Sequence, residues 1–162
     1  QTKRIANGVT ARVVHDTVRK HGRVTEDTFD WYAQDERGNV WYMGEDTKEY
    51  AHGKVSSTEG SWEAGVDGAR AGIAMLAHPR VGKQYRQEYY AGHAQDMARV
   101  LSRDDQVEVH AGHYKRALLT REWTPLEPDV LEYKLYAPGV GIVLESTVSG
   151  GAERNALVSF HR

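Results

Sequence analysis

Residues 29–62 gather three of the chain's four tryptophans among seven carboxylates. Such a mixture can do acid–base work. Paired carboxyls cannot both ionise cheaply, so one keeps its proton to higher pH, while a tryptophan or tyrosine face stacks on the apolar side of a sugar ring. Period-two alternation around two glycine-containing turns reads as a three-stranded antiparallel meander. With Arg37-Gly38 as a two-residue loop, Glu36 faces Asn39, and counting outward pairs Gln34 with Trp41, Tyr32 with Met43 and Asp30 with Glu45. The same count around His52-Gly53 pairs Tyr50 with Val55, Lys48 with Ser57 and Asp46 with Glu59. Directly opposed Cβ atoms lie about 4.5–5.5 Å apart, so each acid pair needs a metal, a lysine or a shared proton.

The two acid pairs point to opposite faces, and a cavity can take at most one of them. Asp30 and Glu45 share their face with Tyr32, Trp41, Met43 and Trp62; Asp46 and Glu59 share theirs with Trp31, Tyr42, Lys48 and Tyr50. The plainer reading is a sheet whose aromatics follow strand propensity and whose acids solvate a surface, and a one-residue slip would dissolve both pairs. The catalytic candidates are Asp30, Glu45 and Tyr32, with Glu59 in reserve. The ligand-binding candidates are Trp31, Trp41, Tyr42, Trp62, Glu88 and His93.

Histidines form a second constellation. His78 falls in a long loop, Glu88 in the strand after it, and His93 and Asp96 in the turn that follows, a set compatible with a divalent metal or a proton-transfer pair. No HExxH signature supports it, and an aspartate at a helix start is commonly a plain cap. His110 and His113 flank Ala111-Gly112, where a two-residue hairpin would set their rings side by side. His15, His21, His52 and His161 read as strand or turn surface. Ser61 near Glu59 lacks a histidine base that spacing can place, and GVDGARAG lacks the lysine and the strand-then-helix context of a phosphate loop.

The elements that must position these residues are strands. The stretch ARVVHDTVRK, then 25–34, 40–49 and 55–62, read as strands; 65–82 reads as a long loop; 83–90 as a strand; 94–102 as a short helix, from the spacing of Met97, Val100 and Leu101; and 106–109, 114–123, 130–136 and 140–148 as strands. The fold class expected is all-β, or mainly β with at most one short helix: one antiparallel barrel over 1–162, lipocalin-like or open, able to hold one small ligand.

Length and composition agree with a folded globular chain. At 162 residues, 40% hydrophobic and 27% charged, it is long enough to bury a core unaided. A formal net charge of −2 offers no basic field for nucleic acid, and no apolar run is long enough for a membrane helix. With no cysteine, disulfides, thiolate nucleophiles and sulfur-ligated metals are excluded.

The blocks DWYAQDERGNVWYMGED at 30–46, EGSWEAGVDGA at 59–69, YRQEYYAGHAQDMARVLS at 85–102 and YAPGVGIV at 136–143 resemble an uncharacterised family of small exported bacterial proteins. The YAPGVG turn is also similar to turns in periplasmic proteins of the lipoprotein-barrel type. The resemblance spans roughly residues 10–148. It implies an exported, periplasmic or extracellular β-rich protein, with more strand sequence before Gln1 and hence an open edge that favours a homodimer by strand pairing. It carries over no catalytic residues. Two functions follow as expectations: a small hydrolase or lyase using carboxylate acid–base chemistry on a glycan or other polar small molecule, or a non-enzymatic lipocalin-like ligand-binding module of the cell envelope.

Overall fold

The structure, a computed structural model, describes residues 1–161. Fourteen strands are joined by turns, and no helix forms among the described residues. In chain order they are β1 (Thr2–Arg4), β2 (Thr10–Lys20), β3 (Arg23–Gln34), β4 (Val40–Ala51), β5 (Lys54–Ser57), β6 (Trp62–Glu63), β7 (Arg70–Met75), β8 (Gln84–Arg86), β9 (Glu88–Tyr89), β10 (Met97–Val109), β11 (Gly112–Trp123), β12 (Leu131–Ala137), β13 (Gly141–Ser149) and β14 (Arg154–Ala156). The chain divides into two compact units, Gln1–Ala77 with Arg86–Gln95, and His78–Tyr85 with Asp96–Arg162.

Unit 1 holds an antiparallel sheet in the order β1-β2-β3-β4-β7-β9, with β5 and β6 also paired to β4. Its core gathers Ile5, Ala11, Trp31, Met43, Trp62, Ala64, Ala69 and Ala94. The short first strand is tied down by one side chain. Lys3 Nζ lies 3.2 Å from the centroid of the Trp31 ring and donates to Glu63 at 2.7 Å, whose other oxygen accepts from the Ala6 amide.

Unit 2 holds a six-stranded antiparallel sheet, β14-β13-β12-β11-β10-β8, with a core of Val107, Ala117, Ala137 and Val143. Neither sheet closes into a barrel, so the all-β antiparallel class stands in its open form. The helix expected over 94–102 is instead the start of β10. Ala98 and Val100, two apart, are both fully buried and face Glu122 and Thr120 of β11, a period of two where the helical spacing of Met97, Val100 and Leu101 had suggested 3.6. The loop expected over 65–82 contains β7. The strand expected over 83–90 is split between β8 and β9, which belong to different sheets.

Candidate functional site

The site is built on the β3–β4 hairpin, and Asp35 shapes its turn. The carboxylate of Asp35 accepts from the amides of Arg37 and Asn39, from Asn39 Nδ2 and from Trp41 Nε1, each at 2.9 Å. Four donors hold this carboxyl down to a pKa of about 2, with the Trp41 bond the largest cause. The Asp35 amide donates to the Asn39 carbonyl at 3.0 Å, and Gly38 has φ 88°, so the loop is the three residues Glu36, Arg37 and Gly38.

That longer loop shifts the near pairs by one, to Gln34 with Val40, Ala33 with Trp41 and Tyr32 with Tyr42. A bulge at Met43 then restores the original count, giving Trp31 with Gly44 and Asp30 with Glu45. The opposed pair Asp30–Glu45 therefore forms, while Trp41 and Tyr42 exchange faces relative to expectation. Gly44, at φ 127°, is where β6 closes on β4: a Cβ there would lie 2.2 Å from the Trp62 carbonyl oxygen. The second pair does not form. A register shift between Glu49 and Tyr50 ends the count, Asp46 faces Phe29 and binds Lys48 at 3.0 Å, and Glu59 lies exposed in the turn after β5.

Pleating places Asp30, Tyr32, Tyr42, Glu45 and Trp62 on one face. Tyr42 Oη donates to Asp30 Oδ1 at 2.6 Å, its ring stacks on Tyr32 at 5.0 Å and 23°, and it meets Trp62 edge-on at 5.5 Å and 87°. Trp62 Nε1 in turn donates to the buried Glu88 at 3.1 Å. Asp16, Glu26 and Glu49 share this face by register with Thr28 and with one another. Burial raises the Asp30 pKa, the Tyr42 hydrogen bond opposes that rise, and repulsion from Asp16 and Glu26 adds to it. Burial also pushes the Tyr42 phenol well above its ordinary range, helped by Glu45 and Asp30, so Tyr42 stays a neutral donor. The arrangement is a carboxyl that keeps its proton longer than usual, opposite a second carboxylate, beside stacked aromatic rings.

No family model, curated protein or solved structure matches the chain.

The other expected residues lie elsewhere. Trp31 is buried in the unit 1 core beneath Lys3, and Trp41 serves the turn through Asp35. Ser61 is a structural latch, accepting from the Thr47 amide at 3.0 Å and donating to the Thr47 carbonyl at 3.1 Å. His93 is exposed and stacks on Tyr90 at 4.4 Å; His78 and Asp96 are exposed. Among the described residues no three His, Asp or Glu come together as a metal-binding group. The β10–β11 loop is His110-Ala111, so His113 faces Glu108 and the two imidazoles are not paired across the hairpin. His15, read as strand or turn surface, lies 2.6 Å from Asp27 and stacks on Phe29.

One charged centre went unforeseen. In unit 2, Lys134 Nζ lies 3.3 Å from Glu122, 3.6 Å from Glu132 and 3.2 Å from Glu145. Glu122, 6% exposed at its side chain, also accepts from Thr120 at 2.7 Å and Tyr136 at 2.9 Å. Burial disfavours the Lys134 ammonium, yet the three carboxylates more than reverse this and raise its pKa. Burial raises Glu132 too, with Lys134 opposing and Glu145 reinforcing. The sequence signal was faint: Glu132 and Lys134 are two apart on one strand, but Glu122 and Glu145 come from its neighbours.

Proposed function

We propose that unit 1 is a small hydrolase or lyase domain acting on a glycan or other polar, ring-bearing small molecule, with Asp30 as general acid and Glu45 as its partner carboxylate. The observation that carries this is the half-buried Asp30, its pKa raised, directly opposite Glu45 on a face with stacked Tyr32 and Tyr42. Asp30 would protonate the departing oxygen as the C–O bond breaks, Glu45 would attack the carbon, and water would then release the product. Direct opposition sets the Cβ atoms about 4.5–5.5 Å apart, which suits the short carboxyl spacing of a nucleophilic rather than a water-mediated pair. The resemblance to exported bacterial proteins supports an envelope or extracellular setting, and open sheet edges support a homodimer formed by strand pairing. No helix among the described residues is long and apolar enough to cross a membrane.

A second reading is a binding module in which the same aromatics hold a ligand without turnover. The open sheet favours it, since no barrel wall excludes water from the Asp30 face. Turnover by Asp30→Asn and Glu45→Gln on a broad chromogenic glycoside and ester panel separates the two. Each substitution should lower kcat about 10²–10⁴-fold. Unchanged turnover in both would end the catalytic assignment, and saturable sugar binding without turnover in the unsubstituted protein would establish the second reading.

A further inference from the structure

Two His-Gly hairpin tips stand at the end of the unit 1 sheet away from Asp35. His21-Gly22 joins β2 to β3 and His52-Gly53 joins β4 to β5, with Lys20 opposite Arg23 and Ala51 opposite Lys54. All four turn residues have positive φ, 51° and 77° in the first and 54° and 76° in the second, the backbone of tight mirror-image turns. Because β3 begins where β4 ends, the two tips are neighbours. Beside the second lies an open groove of about 620 Å³ lined by Arg23, Val24, Tyr50, His52 and Gly53. That volume is within the range of small-molecule sites.

The lining has a definite chemistry. Arg23 is exposed and enters none of the ion pairs formed among the described residues, whereas nearby Lys48 is held by Asp46. Its guanidinium is a planar fork suited to two oxygens of a phosphate or carboxylate. Tyr50 is half-buried and offers a ring to stack on, and Lys20 and Lys54 at the strand ends add positive charge. Among the described residues no carboxylate lines the groove.

We propose that this groove is a binding site for a small ring-bearing anion, its phosphate or carboxylate taken by Arg23 and its ring laid against Tyr50. The site lies at the start of β3, toward the opposite end of that strand from the Asp30–Glu45 pair, and does not depend on that reading. Its charge is opposite, so the two recognise different groups.

The test is an amide NMR titration of the whole chain with phenyl phosphate, inorganic phosphate and phenol. Phenyl phosphate should move the Val24, Tyr50, His52 and Gly53 amides saturably, with Kd of about 1 mM or tighter. Arg23→Gln should weaken this at least about tenfold, and Arg23→Lys should fall between. Tyr50→Ala should bring phenyl phosphate down to the weaker response of inorganic phosphate. The proposal is overturned by unsaturable or scattered shifts, by equal binding of phenyl and inorganic phosphate, or by unaltered binding in Arg23→Gln. Arg23 is exposed at a strand end, so loss of the fold is not expected to obscure the result.

Discussion

Tyr42 Oη donates to Asp30 Oδ1 at 2.6 Å, and this contact is the largest influence holding the Asp30 pKa down against the burial that raises it. Tyr42→Phe should therefore raise the Asp30 pKa further. At neutral pH it should cost about 1–3 kcal/mol, because a half-buried carboxylate loses its phenol donor. Carboxyl ¹³C NMR across a pH series measures the first and chemical denaturation the second. An Asp30 pKa that stays put or falls would show that the phenol does not control it.

Asp30 itself gives a pH signature. Its folded pKa lies above the ordinary 3.8, so the fold disfavours its ionised form. Stability is then greatest while the group is protonated in both states, and it declines as pH rises from about 3.8 through the folded pKa. Asp30→Asn keeps an oxygen for Tyr42 but cannot ionise. Its stability relative to the unsubstituted protein should climb over that window and level off above it. Parallel stability curves from pH 3 to 7 would refute the burial account of Asp30.

Asp35 should behave in the opposite sense. Its folded pKa of about 2 lies below 3.8, so its contribution is present above 3.8 and lost as pH falls toward 2. Asp35→Ala should lower Tm at neutral pH, erase the acid-side loss and shift the Trp41 indole N–H signal. With the three-residue loop unsupported, the hairpin should also exchange register, broadening the amides of residues 33–41. A sharp, unshifted Trp41 indole signal in the variant would contradict this role.

The Asp30–Glu45 opposition was legible in the sequence, yet it rests on two departures that cancel. Alternation and Gly38 locate the turn, but the four bonds to Asp35 lengthen the loop by one residue, and the Met43 bulge removes that offset. Periodicity sees neither, because both depend on side-chain-to-backbone bonds and on β6 packing against Gly44. The longer loop brings Tyr42 to the Asp30 face and sends Trp41 to the other. Over 94–102, Met97, Val100 and Leu101 fit a helix by spacing alone; pairing of Ala98 and Val100 with β11 decides for strand, and pairing is a long-range fact. The Lys134 centre escaped for that reason too, since its acids come from three strands.

Lys134 is the strongest stability prediction. Three glutamates contact one ammonium whose side chain is 20% exposed, so Lys134→Met leaves them facing one another without a counter-charge. Removing one partner of a buried ionic group costs about 3–5 kcal/mol. The cost should appear at pH 7 and shrink in acid. Glu132 protonates above its ordinary range because burial favours its neutral form and Glu145 reinforces this, so the repulsion is relieved from the acid side upward. Adding Glu132→Gln should recover part of the loss at pH 7 and little at pH 4. Denaturant unfolding of the single and double variants at both pH values provides the cycle. A cost under about 1 kcal/mol at pH 7 would place this cluster with ordinary surface ion pairs and sink the assignment.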